Sequence, residues 1–233
     1  MKKLILIVLT LICSLNAKEI YATFDVQAVK SANLSFDSTG IVKDVFVDIG
    51  SKVKKNDILA SLNNDESKAR LAVNKISLKY AEIDYDRQKK IKNLIDKEKF
   101  DQYAYKYENA KAEVAYQESV VDKTYLKAPF DGVIISKSVE SGDMVSSQAA
   151  KTLLQIESTS NIKLVLKFDS KYWNEVKKGQ KFEYTLDGDN TKYSGEIFKV
   201  YPTINNETRT LSAEVLTNNI PTSLFGTGFI LTE

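Results

Sequence analysis

The sequence predicts a mixed α and β protein, a β-sandwich split by an antiparallel α-helical hairpin and followed by a small antiparallel β-barrel domain. Three observations predict it. A glycine-punctuated β pattern occurs twice, far apart in the chain. Between the copies the apolar period changes from two to seven. After residue 160 the period returns to two.

The first residues set the compartment. Lys2 and Lys3 precede the apolar run Leu4 to Ile12, and small or polar residues follow through Ala17. This is the pattern of a secretory signal, and its apolar part is too short to cross a bilayer as a helix. Residues 1–17 are therefore expected to be removed between Ala17 and Lys18. Cys13 follows the bulky Ile12, where a lipoprotein signal has a small side chain, so lipidation is not expected.

Residues 19–29 are expected to contribute an N-terminal strand to the barrel. The first repeat copy, within 30–63, runs from Gly40-Ile41-Val42 to Gly50-Ser51-Lys52-Val53, then Ile58-Leu59-Ala60-Ser61-Leu62. The second, within 125–158, runs from Gly132-Val133-Ile134 to Gly142-Asp143-Met144-Val145, then Leu153-Leu154-Gln155-Ile156. Gly40, Gly50 and Val53 recur at Gly132, Gly142 and Val145, all offset by 92 residues. The four glycines are read as structural turns, where short strands reverse. Neither copy has enough apolar surface for a core of its own, so the two are expected to bury one another.

Residues 64–124 hold the hairpin. Ala69, Ile76, Ile83 and Lys90 are spaced by seven, as are Val73, Tyr80, Arg87 and Leu94. On the descending arm the two series are Phe100, Tyr107, Val114, Val121 and Tyr103, Ala110, Gln117, Thr124. Such stripes pair helices through the a and d positions of a coiled coil. Asn64 or Asp65 is placed to cap the first helix, Asp65 to Leu94, and Asp96 the second.

Residues 159–233 predict the barrel. Leu164, Leu166 and Phe168 alternate with polar positions, as do Phe182, Tyr184 and Leu186. Ser170 is expected to cap a short helix through Val176 that ends near Gly179. Further strands are expected at Tyr193 to Val200, Thr210 to Leu216 and Phe229 to Leu231. Closure into a barrel removes sheet edges.

Composition excludes several functions. The chain has 33 Lys and Arg against 31 Asp and Glu. Loss of Lys2 and Lys3 would leave it formally neutral, without the basic footprint of a nucleic-acid binder. There is no histidine, and the single cysteine is Cys13. Disulfides, thiolate catalysis, histidine triads and ordinary zinc sites fall together. Asp187, Asp189 and Glu207 lie in predicted solvated turns, and a general acid–base pair needs convergence. No catalytic residue, metal or cofactor is expected.

This layout resembles the periplasmic adaptor, or membrane-fusion protein, family of tripartite efflux systems. The resemblance rests on the half-motifs around Gly40 and Gly132, the re-entry segment Leu126-Lys127-Ala128-Pro129-Phe130-Asp131-Gly132, and the barrel turn Asn206-Glu207-Thr208-Arg209-Thr210. It implies that the sandwich is lipoyl-like. It also implies a periplasmic homo-oligomer that associates peripherally with the inner membrane, its partners being an inner-membrane transporter and an outer-membrane channel. Family members that engage such channels carry an arginine, a leucine four residues later and a serine near the hairpin turn. Arg87 and Ile91 match the first two, and Asp96 stands at the serine-like position after a stretch two residues shorter. Asp101 is similar to the acidic residue that begins the next turn. The three residues Arg87, Ile91 and Asp96 are thus the candidate channel-docking tip, unless Arg87 and Asp96 only solubilise and cap the turn. Carrier lysines of biotinyl and lipoyl domains sit where this chain has its helical insert, so Lys54, Lys55 and Lys127 are read as surface residues. The chain stops soon after the barrel, with little sequence for the family's membrane-proximal domain. A free-standing periplasmic coiled-coil scaffold or chaperone is the alternative reading.

Overall fold

A computed structural model of the chain describes residues 18–148, 151–160, 162–218 and 220–232. The expected signal segment, with Cys13, lies outside them. The described chain divides into two compact units. One contains residues 18–29 and the chain from Thr159 onward, and the other is Lys30–Ser158.

In the first unit six antiparallel strands close a barrel. They are β1 (Lys18–Ala28), β10 (Ile162–Asp169), β11 (Lys181–Leu186), β12 (Tyr193–Val200), β13 (Thr210–Thr217) and β14 (Phe225–Thr232). Their order around the barrel is β1-β10-β13-β12-β11-β14. Every second residue of β1, from Ile20 through Ala22, Phe24 and Val26 to Ala28, is buried, which is the period of a strand with one face inward. Phe24 packs edge-on against Phe182 and Tyr184, with ring centroids 5.8 and 5.2 Å away. Gly226 and Gly228 make room for these rings. A Cβ on Gly226 would lie 2.6 Å from Cζ of Phe24, and one on Gly228 2.7 Å from Cζ of Phe182.

The short helix expected from Ser170 to Val176 is one 3-10 turn, Ser170–Tyr172. Its cap is Asp169, whose carboxylate accepts the Lys171 N–H at 2.9 Å. The Ser170 N–H donates to the Arg209 carbonyl at 3.0 Å, which ties this turn to the β12–β13 connection. Gly179 has φ +93°, as a left-handed turn residue should.

The second unit holds the repeat. Its first sheet orders β2 (Ser31–Leu34), β9 (Leu154–Glu157), β7 (Gly132–Lys137) and β4 (Lys52–Val53). Its second orders β6 (Tyr125–Lys127), β5 (Ile58–Leu62), β3 (Gly40–Val45) and β8 (Met144–Val145). Each sheet therefore mixes the two copies, with β4 pairing β7 and β8 pairing β3. The exchange is symmetric at single hydrogen bonds. The Gly50 N–H donates to the Ile134 carbonyl, and the Gly142 N–H to the Val42 carbonyl, both at 2.8 Å. Gly142 and Ile134 are the repeat partners of Gly50 and Val42. Val42, Val53, Leu59, Leu62, Ile134, Val145, Leu154 and Ile156 meet in one core.

The four repeat glycines divide into two kinds, which corrects their reading as turns. Gly50 and Gly142 have φ of +85° and +96°, a region that strains any residue with a Cβ. Gly40 and Gly132 instead begin strands β3 and β7, without a positive φ. What Gly132 supplies is space, because a Cβ there would lie 2.3 Å from the Glu157 carbonyl oxygen. Gly40 is milder, with a Cβ falling 3.3 Å from Cδ1 of Leu62.

Helices α1 (Asp65–Lys90) and α2 (Lys97–Asp122) span 26 residues each, or roughly 39 Å at the helical rise. Neither contains glycine or proline, so nothing in the arms breaks the ladder. α1 stops at Lys90 rather than at the expected Leu94. The Ile91 N–H turns back to the carbonyls of Gln88 and Lys89, and residues 91–94 form the reversal. No helix among the described residues is long and apolar enough to cross a membrane.

Candidate docking surfaces of the hairpin

Strands β5 and β6 clamp the hairpin's base. The Leu62 N–H donates to the Thr124 carbonyl at 2.9 Å, and Asn64 Nδ2 donates to Thr124 Oγ1 at 2.8 Å. Asn64 occupies the N-cap position of α1 without a side-chain cap bond, because its amide is committed across the base. Above it, Gln117 Nε2 donates to the Ser67 carbonyl at 3.2 Å, and Lys75 pairs with Glu118 at 2.8 Å. Nearer the tip Tyr85 stacks on Tyr107 at 5.2 Å and tilts against Phe100 at 5.6 Å.

These contacts fix the seam. On α2 it follows the expected series, with Phe100, Tyr103 and Tyr107 half-buried and Ala110, Val114, Gln117 and Val121 buried. On α1 the seam is Ser67, Leu71, Asn74, Leu78, Ala81, Tyr85 and Gln88, two residues behind the expected stripe. The expected residues Val73, Ile76, Tyr80 and Ile83 lie outside, between 41 and 62% exposed. Both stripes repeat by seven, and the outer one is the more apolar. Hydrophobicity alone therefore selects the wrong face, and the clamp at Asn64 and Thr124 sets the actual rotation of α1.

At the tip, Arg87 and Ile91 lie one helical turn apart where α1 ends, and Asp96 caps α2 by accepting the Glu98 N–H at 3.0 Å. Arg87 pairs with Asp84 at 3.4 Å, back along α1, rather than with Asp96. The Leu94 N–H bonds the Ile91 carbonyl at 2.8 Å and leaves its own side chain 85% exposed. Leu94 is an apex residue rather than a member of the helical stripe. Its signal was the short interval before the Asp96 cap.

The remaining candidates belong to other elements. Asp187 and Asp189 lie in the β11–β12 connection, and Glu207 in the β12–β13 connection. Thr191 and Tyr193 donate to the Asp189 carboxylate at 2.8 Å each and hold it below the usual carboxylate range. Lys54 and Lys55 belong to the β4–β5 turn, where their N–H groups donate to Asp57 and Asp131. Lys127 pairs with Asp122. No group of three or more metal-ligating side chains occurs among the described residues.

Residues 30–156 match the model of the CzcB-like, barrel-sandwich hybrid domain family. The chain belongs to this family. Its crossed repeat is the barrel-sandwich hybrid, with the hairpin inserted between the halves. The cobalt-zinc-cadmium resistance protein CzcB of Cupriavidus metallidurans is 24% identical over 207 residues, 82% of this chain and 39% of the relative. The cation efflux system protein CzcB of an Alcaligenes strain is 23% identical over the same shares. The chain thus spans about two fifths of the length of these curated relatives.

Solved structures agree on the fold. A MacA–MexA chimeric protein carrying the Pseudomonas aeruginosa MexA α-hairpin domain superposes with a TM-score of 0.84 at 21% identity. That match covers 93% of this chain and 83% of the chimera. The membrane fusion protein Spr0693 of Streptococcus pneumoniae R6 gives 0.73 at 13% identity, over 92% of this chain and 99% of that one. The barrel-sandwich hybrid and its hairpin are shared across these chains, while few residues are.

Proposed function

We propose that this chain is a periplasmic adaptor that couples an inner-membrane transporter to an outer-membrane channel, and that it performs no bond-making chemistry. One observation carries the reading. A sandwich clamps a roughly 39 Å hairpin at its base and leaves an exposed apolar tip, Ile91 and Leu94, at the far end. Such a geometry reaches a distant partner. It has little use in catalysis.

Several copies associate, the tips engage the channel, and the β units contact the transporter. Weak individual contacts add through multivalency. The chain acts in the periplasm, peripherally associated with the inner membrane. In the tip, Arg87 supplies directional hydrogen bonds, Ile91 an apolar anchor and Asp96 the cap that fixes the docking shape. Two relatives are named for cation efflux or cobalt-zinc-cadmium resistance, which makes divalent-metal export the first substrate class to assay.

The deciding experiment is affinity capture from intact envelopes after mild crosslinking. Recovery of both an inner-membrane transporter and an outer-membrane channel supports coupling. Recovery of soluble clients alone replaces it with the scaffold or chaperone reading.

A further inference from the structure

One pole of the barrel carries a cationic cleft with an exposed tryptophan at its rim. β1 begins and β14 ends there, with Lys18 opposite Thr232, and β11 starts alongside with Lys181 opposite Leu231. The connection from β10 to β11 completes the cleft, whose volume is about 950 Å³. Four lysines line it, Lys18, Lys177, Lys178 and Lys181, against one acid, Glu175, among the described residues. Glu183 and Glu196 stand on the neighbouring strands outside this lining.

The connection folds so that its lysines are left outside. Val176 is buried in the barrel core. Gln180 buckles the loop, accepting the Lys177 N–H at 2.8 Å and donating to the Glu175 carbonyl at 2.9 Å. The Gly179 N–H donates to the Ile197 carbonyl and the Gln180 carbonyl accepts the Ile197 N–H, both at 2.9 Å. Lys18 and Lys181 are matched within the chain, by Glu175 at 2.7 Å and Glu183 at 2.6 Å. Lys177 and Lys178 remain exposed and form no ion pair among the described residues.

Trp173 supplies the apolar half of the surface. It follows Tyr172, whose ring packs against the barrel core and carries the Lys18 and Lys171 ammoniums at 4.8 Å each. Trp173, the chain's single tryptophan, is instead 67% exposed. Phe198 is also exposed, with the Lys178 ammonium 5.4 Å from its ring centroid. Aromatic rings among lysines suit the edge of a bilayer, the indole between headgroups and acyl chains and the ammoniums on phosphates. A small soluble anion is a poorer occupant. The cleft is far larger than a phosphate ion, and its charges ride on exposed, flexible stems. A fluid array of headgroups satisfies such charges without freezing them.

We propose that this pole of the barrel docks on an anionic lipid surface, with Trp173 at the headgroup boundary and Lys177 and Lys178 on lipid phosphates. This rests on the membrane-peripheral placement in the proposed function and names the surface that meets the bilayer.

The test uses the full chain purified from the periplasm and sedimented with vesicles. It binds vesicles of phosphatidylglycerol and phosphatidylcholine in equal parts, fails to bind phosphatidylcholine alone, and is released by salt. Trp173, the only indole, shifts its emission to the blue on binding and is quenched by lipids brominated near the headgroup. K177A and K178A each lower binding about fivefold and together about thirtyfold, the scale of a lysine near an anionic surface. K54A/K55A, which removes the same charge from the β4–β5 turn, leaves binding unchanged. W173S lowers binding with an unaltered melting temperature, because its side chain is exposed. Equal losses in the two lysine pairs, or an unshifted indole, would overturn the assignment. Displacement by inorganic phosphate at matched ionic strength would replace the membrane with a free-anion site. In intact envelopes, a photo-crosslinker at position 173 that captures protein and no lipid would likewise reject it. Envelope capture of partners is read separately. Captured transporter and channel without vesicle binding sink this inference alone, and vesicle binding without those partners sinks the adaptor reading alone.

Discussion

Single residues here do more than fill a pattern. Gly132 lies in a strand with its Cα against the Glu157 carbonyl, so Gly132→Ala forces the backbones of β7 and β9 apart. The expected loss is about 2 kcal/mol or more, the scale of an overpacked core. Gly50→Ala meets open space but a φ of +85°, so its cost should be nearer about 1 kcal/mol. Urea unfolding of the two variants checks the order, and equal losses would contradict it.

In the barrel, the largely buried Glu214 accepts from Lys163 at 2.7 Å and from Tyr201 at 2.6 Å. Burial raises its pKa, but the bonds from Lys163 and Tyr201 outweigh it and hold the carboxyl below 4.5. A group depressed on folding stabilises fully above its unfolded value and loses that contribution as pH falls through the folded one. Wild type should therefore lose barrel stability below pH 4.5, and Glu214→Gln should flatten that acid limb while lowering stability at neutral pH. Thermal melts from pH 3 to 7 provide the comparison. A parallel acid limb in the variant would remove Glu214 from the account.

Among the elements, the tip is where sequence variation should speak most directly about partners. Arg87→Glu and Ile91→Asp should both reduce channel crosslinking at matched periplasmic abundance, Ile91→Asp by roughly tenfold, as for a buried apolar anchor. Leu94→Asp should do the same, being the most exposed apolar side chain at the reversal. Asp96→Ala acts through the cap and should also lower helicity. Unchanged crosslinking by both the Arg87 and Ile91 variants would reject the tip assignment.

How legible each element was follows from its composition. α2 was readable because its seam concentrates Phe100, Tyr103, Tyr107, Val114 and Val121 on one face. α1 was misread by two residues because its true seam includes Asn74 and Gln88 while its outer stripe is aliphatic. The barrel strands announced themselves by alternation, whereas the cap of the 3-10 turn did not. Asp169 and Ser170 are both good caps, and the Arg209 carbonyl, distant in sequence, takes the Ser170 N–H. The repeat was visible in its glycines. Their division into turns and close approaches was not, because a sequence does not show which carbonyl faces a Cα.

For the whole molecule, the barrel is a closure between distant parts of the chain. β1 pairs with β14 from Lys18↔Thr232 to Asp25↔Phe225, and with β10 from Ala22↔Phe168 to Ala28↔Ile162. Removing β14 would therefore open two edges at once, on β1 and on β11. A chain ending after residue 224 should bind an apolar dye and be cut rapidly within residues 18–28, while the sandwich strands remain protected. Retained protection of residues 18–28 would show that β10 alone holds β1. The same closure has a consequence in time. At synthesis rates of roughly 5–20 residues per second, β1 emerges some 10–40 s before its second neighbour exists. Until β10 follows, an amphipathic strand with Phe24 and Val26 on one face has no partner, and until β14 follows one of its edges stays open. A holding factor in the cell, or a delay in translocation, has its opportunity in that wait.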